Sequence, residues 1–271
     1  MRDIIYILIL FILLGCEQQT DWDLEPKKTI DLVVDAILTN ERKPQYVTLT
    51  KPVYQLNAQP EPATGASLTI FNGYDYYILE ESDTAPGKYF VDTSFVPAVG
   101  LNYILTIEYN GKLFAARATM EPVTLFKPVT WSEVPGKFNM YRLNNDFESN
   151  EVAMWELFLD WSNVTEPYEG DGGKTSARLL YYTLRTADIS QLFAPPKADI
   201  IFPLATIIIE KKYSLTRDHA EYIRTVLSET EWRGSFFDVS PSNTMTNITE
   251  NVAGFFSLCT VISDTIIVFP K

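Results

Sequence analysis

Between Thr29 and Met120 the chain is built from short apolar runs, most of them closed off by residues that turn the backbone. They read "TIDLVVDAIL", "QYVTLTKPVY", "ASLTIFNG", "DYYILEE", "GKYFVDTSF", "NYILTIEYNG" and "KLFAARATM". Short runs bounded by Gly, Pro, Asn and Asp have the length and punctuation of strands, not of helices. The sharpest turn signal is Asn110-Gly111, which lies between Thr106-Ile107 and Leu113-Phe114. Both residues tolerate the positive φ of a tight hairpin turn, so the pair predicts two adjacent antiparallel strands. Seven such segments in about 90 residues predict a β-sandwich of the immunoglobulin or fibronectin type over residues 27–121. No Cys…Trp…Cys pattern is present, so the likeness to antibody domains is one of architecture.

The Pro-bearing segment "MEPVTLFKPVT", Met120 to Thr130, reads as a linker. Beyond it the sequence predicts a second, β-rich domain over residues 122–271. In "AMWELFLDW", Ala153, Trp155, Leu157, Leu159 and Trp161 alternate with Met154, Glu156, Phe158 and Asp160, which predicts a strand with one wholly buried face. "ARLLYYTLR", "FPLATIIIEKKY", "VAGFFSLCTVI" and "DTIIVF" add further strands. One helix is expected near residues 216–231, with Thr216 as its N-cap. Its apolar residues Tyr222, Ile223, Val226 and Leu227 fall on one stripe that packs against a sheet. The predicted fold class is therefore mostly β, an immunoglobulin-like sandwich followed by a β-rich domain with one packed helix.

The N-terminus carries a different signal. The apolar run from Ile4 to Leu14 spans 11 residues, against about 20 for a helix that crosses a bilayer. It fits the core of a secretory signal peptide covering residues 1–15. Leu13-Leu14-Gly15-Cys16 resembles the lipobox of bacterial lipoproteins, in which the Cys thiol receives a lipid and the signal is cleaved just before it. Cys16 is the expected lipidation site, and residues 16–26 the tether from membrane to first domain. The anchor matters because the chain has a net charge of −13, unchanged when Arg2 and Asp3 leave with the signal. That charge excludes nucleic-acid binding, which needs clustered Lys and Arg, and it disfavours adhesion to anionic lipid. With Cys16 lipidated, Cys259 is the sole remaining thiol, and its setting "FFSLCTVIS" predicts a buried strand where Cys acts as a small hydrophobe.

Chemistry-bearing motifs are scarce. His219 is the single histidine, at the predicted helix start, where a solvated side chain is expected. Any Ser-His-Asp or Cys-His site would have to use it. No "GxSxG", "GxxxxGK[ST]" or "GxGxxG" occurs, and with one imidazole only carboxylates remain as metal ligands. No cofactor or metal is expected. Glu166, Glu169 and Asp171 in the loop "NVTEPYEGDGG" lack calcium-loop spacing and read as solvated. Paired carboxylates could run glycoside hydrolysis, which leaves a surface glycan hydrolase as the alternative to a binding protein.

The stretch "WRGSFFDVSPSNTMTNITENVAGFFSLCTV", Trp232 to Val261, together with the helix before it, resembles the C-terminal signature of a lipoprotein family of Bacteroidota, domain of unknown function 4249. That pattern has a Gly-Gly-x-Phe-Asp turn, a Pro-x-Asn segment, an Asn-Ile pair and a Gly-Tyr-Phe strand opening. The matching residues are Gly234, Phe237, Asp238, Pro241, Asn243, Asn247 with Ile248, and Gly254 with Phe256. Arg233 and Phe255 depart from it, and Ser235-Phe236 lengthens the turn by one residue. "VVDAILTNERKPQYVTLTKPVY", "GKYFVD" and "YILTIEYNGKLFAARATMEPV" resemble the family's opening sandwich. The resemblance implies an outer-membrane lipoprotein facing the cell exterior, with Glu17, Asp21 and Asp23 as a loose match to an acidic export signal. It further implies a non-enzymatic accessory or binding subunit of a TonB-dependent receptor. The motif residues from Gly234 to Gly254 are expected to form a structural strap or a partner contact, with Asp238, Asn243 and Asn247 bonding the backbone of their own turn.

Overall fold

The computed structural model describes residues 30–53, 58–144, 151–165, 168, 173–184, 200–230, 244–249 and 251–270. Cys16, the signal and tether segments, Glu166, Glu169, Asp171, Gly234, Phe237, Asp238, Pro241 and Asn243 lie outside the described residues. The first seven strands are β1 (Leu32–Thr39), β2 (Gln45–Thr50), β3 (Ser67–Phe71), β4 (Tyr76–Glu81), β5 (Lys88–Val91), β6 (Asn102–Tyr109) and β7 (Lys112–Thr119). Each alternates as its sequence predicts. Leu32, Val34, Ala36 and Leu38 of β1, Leu68 and Ile70 of β3, and Tyr103, Leu105 and Ile107 of β6 share one buried core. The β6–β7 hairpin turns at Asn110 and Gly111, with φ of 51° and 71°, and pairs Tyr109 with Lys112. Positive φ at both positions is the reason for Asn-Gly there.

The second half contains β8 (Thr130–Glu133), β9 (Met140–Asn144), β10 (Ala153–Asp160), β11 (Ser176–Thr183), β12 (Ile201–Pro203), β13 (Ile207–Ser214), α1 (Arg217–Thr230), β14 (Val252–Cys259) and β15 (Val261–Ile267). A four-stranded sheet, β11-β10-β13-β15, packs with a three-stranded one, β12-β9-β8. Ala153, Trp155, Leu157, Leu159 and Trp161 supply the centre of their common core, with Trp131 and Tyr141 from the smaller sheet. Helix α1 lies over a separate apolar layer in which Ile223 and Leu227 meet Tyr213, Cys259 and Val261. Thr216 caps it, its Oγ1 accepting from the His219 amide at 3.1 Å.

The linker is fastened to β13 by two buried charged side chains. Lys212 donates to the carbonyl of Thr124 (3.2 Å), to its hydroxyl (2.9 Å) and to Glu151 (2.6 Å), while standing over the Trp155 ring. Glu210 accepts from the Val129 amide at 3.0 Å through one carboxylate oxygen, and its other oxygen has no partner among the described residues. Burial raises its pKa to about 7.

One feature corrects the division of the chain at residues 121/122. β14 joins the first sandwich, pairing in parallel with β1 from Leu32↔Val252 to Thr39↔Cys259, and the strand order there is β14-β1-β2-β5-β4-β3-β6-β7. After Thr260 the same chain continues as β15 in the other body's sheet. Its run is apolar on both faces because the first core covers one side and α1 the other. Thr260 is held at the switch by three hydrogen bonds: its hydroxyl donates to Glu121 O (2.6 Å), its amide to Ser214 Oγ (2.8 Å), and its carbonyl accepts from Ser214 N (2.9 Å).

Candidate functional site

β7 and β14, the two ends of the first strand order, face each other across a seam, and residues 244–249 fill it. Ile248 bridges Ala116. Thr249 donates its amide to Ala115 O (2.9 Å) and accepts the Ala115 amide on its hydroxyl (3.1 Å). Asn247 does most of the stitching. Its side-chain amide donates to Arg117 O (3.0 Å) and Phe256 O (2.7 Å), and its oxygen accepts from Phe256 N (3.0 Å). These partners belong to β7 and β14, not to its own turn as expected. The side chain imitates a strand's backbone edge, which satisfies groups that a sheet end would leave bare.

Gly254 sits beside this seam at φ +99°, where a Cβ would lie 1.8 Å from the carbonyl oxygen of Val34. Only glycine lets β14 approach β1 so closely. Of the seven motif residues, the structure thus places Asn247 and Gly254 together, both in structural roles.

A hollow of about 450 Å³ opens at the seam, lined by Arg117, Glu121, Thr216, Arg217, Asp218 and Phe255 among others. Phe255 carries His219 stacked on its ring at 5.3 Å, with Tyr222 stacked at 4.8 Å. His219 is fully buried, which overturns the expectation of a solvated helix-start residue. The helix axis runs so that positions 219, 223 and 227 share the inward stripe. His219 Nδ1 lies 2.8 Å from Ser257 Oγ and 3.8 Å from Cys259 Sγ, and its Nε2 has no partner among the described residues.

This trio resembles a nucleophile and base in composition only. Burial lowers the His219 pKa to about 4 and pushes the Cys259 thiol up to about 12. The imidazole is therefore neutral and the thiol protonated at neutral pH, and neither meets solvent. Cys259 is the buried hydrophobe the sequence predicts. The partnership with Ser257 escaped the sequence, although Ser257 is the one hydroxyl in "VAGFFSLC", two residues from both Phe255 and Cys259. Among the described residues no group of three or more His, Cys, Asp or Glu is arranged to hold a metal, and no helix is long and apolar enough to cross a membrane.

Two β-sandwich bodies joined by the consecutive strands β14 and β15, with a cleft at the joint and a sealed polar cluster behind it, define a mostly β protein. Residues 17–265 match the family described as domain of unknown function 4249, and the chain belongs to that family. No match was found among curated proteins. Among solved structures it is similar to the chicken CNTN1 FN1-FN3 domains, at 9% identity and TM-score 0.29, covering 70% of this chain and 63% of that one. A cytokine receptor complex also matches, at 9% identity and TM-score 0.23, covering 89% of this chain and 98% of that one.

Proposed function

We propose that the protein is a lipid-anchored outer-membrane lipoprotein, displayed at the cell surface, that serves as a non-enzymatic binding or accessory subunit of a TonB-dependent transporter. The observation that carries this reading is the junction at Cys16. The family match begins at residue 17, directly after a Cys preceded by Leu13-Leu14-Gly15. A single acyl chain holds a protein only marginally, whereas more than one makes a durable anchor for work at a membrane. Burial of His219, Ser257 and Cys259 supports binding over chemistry, because a nucleophile and its base must reach a substrate.

Two measurements test this reading. Cys16→Ser should abolish uptake of a palmitate analogue and leave the signal uncleaved. Pull-down of the native protein from gently solubilised membranes should recover a large β-barrel receptor. Recovery of the protein alone, from membranes rich in such a receptor, overturns the accessory role. Turnover of oligosaccharides by the purified protein, lost on one Asp or Glu substitution, would put the glycan hydrolase in its place.

A further inference from the structure

The outer face of the first sandwich carries a row of side chains that strand register assembles from distant parts of the sequence. Tyr76 pairs with Phe71, Phe71 with Ile104, and Ile104 with Arg117. One line across β4, β3, β6 and β7 therefore reads Tyr, Phe, Ile, Arg. At the spacing of hydrogen-bonded strands it is about 14 Å long. The rings of Phe71 and Tyr76 stack at 4.4 Å and 24°, and Tyr76 remains 72% exposed.

A hollow of about 440 Å³ lies over the Phe71, Ile104 and Arg117 part of this row. That volume is in the range of small-molecule sites. Its walls are the Asn72–Tyr74 turn on one side and Gly100 to Asn102 on the other. The first wall is fixed in place: Asn72 Oδ1 accepts from the amides of Tyr74 (2.9 Å) and Asp75 (2.7 Å), and its nitrogen donates to the Tyr77 hydroxyl (3.3 Å). Asn102 accepts from Thr119 Oγ1 at 2.6 Å, which orients its amide and leaves the nitrogen without a partner among the described residues. The Arg117 side chain makes no ion pair or hydrogen bond among the described residues, although the chain carries a net charge of −13. Its carbonyl, in contrast, is tied to Asn247. The backbone under the guanidinium is thereby held while the fork is left open.

Each part selects a ligand property. A planar guanidinium with open donors matches a carboxylate in two parallel hydrogen bonds. Among the described residues it is the one cation lining this hollow, which neutralises one negative charge and not the two of a phosphate monoester. The apolar floor of Phe71 and Ile104, with Phe71 held by the stacked Tyr76 ring beside the hollow, accepts a ring by its apolar face. The free Asn102 nitrogen adds a donor that a carboxylate on Arg117 does not use, so the ring also bears a hydroxyl.

We infer that this hollow binds a sugar acid, a hexuronic-acid ring within an oligosaccharide, with its carboxylate on Arg117 and its ring over Phe71. Occupancy of the hollow is independent of the transporter partnership proposed above. Calorimetric titration of the full chain in detergent micelles with trigalacturonate tests it, alongside the methyl-esterified trisaccharide and 4-hydroxybenzoate. Trigalacturonate should bind saturably, and its methyl ester roughly tenfold or more weakly, as expected when a charge-assisted pair is lost. Arg117→Gln and Tyr76→Ala should each weaken binding, and Arg117→Lys should recover only part of it, since the charge returns without the fork. Tyr46→Ala, on the same face but off the row, should leave the affinity unchanged. Equal affinity for acid and ester, indifference to both Arg117→Gln and Tyr76→Ala, or no saturable binding would overturn the site. Preference for 4-hydroxybenzoate over trigalacturonate would overturn its assignment to a sugar.

Discussion

At Gly254 two separate demands fall on one residue: φ lies at +99°, and the space a Cβ would occupy is taken by the Val34 carbonyl 1.8 Å away. Gly136, at φ +77°, meets only the first demand, with nothing within 4 Å. Gly136→Ala should cost about 1 kcal/mol, the strain of the left-handed region. Gly254→Ala should cost about 3 kcal/mol or more, since β14 must leave β1, and urea denaturation of both variants measures the difference. Equal costs would mean that β14 can shift freely. Two buried titratable groups make a second prediction. The unfolded chain protonates His219 near pH 6.5 and the folded chain only at about 4, so the unfolded state holds more protons between these values. Stability therefore falls through that window on acidification, by up to about 3 kcal/mol from this residue. Glu210 acts in the opposite sense, since its folded pKa is about 7 against an ordinary 4.5, and it favours the folded state as pH falls through that range. Relative to wild type, His219→Gln should gain stability between pH 7 and 5 and Glu210→Gln should lose it. Matching slopes for the two variants in urea titrations would refute the opposition. The sequence displayed Cys259 as buried because its neighbours are apolar on both sides. It hid His219, because an imidazole at a helix start is ordinarily solvated and only its spacing of four from Ile223 marks it as inward.

Strands were legible in this chain wherever a local rule set them. Alternation in "AMWELFLDW" and the Asn110-Gly111 turn each name their element without knowledge of the rest. The partner of β14 was not legible, because parallel pairing with β1 joins residues more than 200 positions apart and no turn records it. The same reason hid the work of Asn247, whose motif position is plain but whose partners are on β7 and β14. That element-scale role is testable. Asn247→Ala removes three hydrogen bonds and leaves the Phe256 amide and two carbonyls to find other partners, at a cost of roughly 2–4 kcal/mol. Hydrogen exchange should accelerate at the Phe256 amide and at the Ala115 and Thr249 amides, and stay unchanged in the β3–β4 hairpin. Uniform acceleration across the molecule would mean that Asn247 contributes only to global stability and does not close the seam.

Consecutive strands, β14 in one sandwich and β15 in the other, join the two bodies, so their stabilities should be coupled. β14 and β15 are one chain with Thr260 as the single residue between them, and Thr260 is bonded to the linker at Glu121 and to the end of β13 at Ser214. Val261 is fixed to the β1 side of the molecule as well, its amide donating to Asn40 Oδ1 at 2.7 Å. Loss of either sheet therefore removes one end of the other's strand. The tryptophans provide a natural reporter of this coupling, because none occurs between residues 30 and 130, while Trp131, Trp155 and Trp161 are buried in the second core. With Trp22 and Trp232 replaced by Phe in every variant compared, tryptophan emission follows the second sandwich, and hydrogen exchange at β3 and β6 follows the first. In the wild type the urea midpoints from the two probes should coincide, as for a single cooperative unit. Thr260→Val removes the bond to Glu121 without changing side-chain shape, and Asn40→Ala releases Val261. Together they should separate the midpoints, with the tryptophan transition moving independently of β3 and β6. Midpoints already apart in the wild type would show that the β14–β15 junction transmits no stability, and that the two bodies merely lie side by side along one chain.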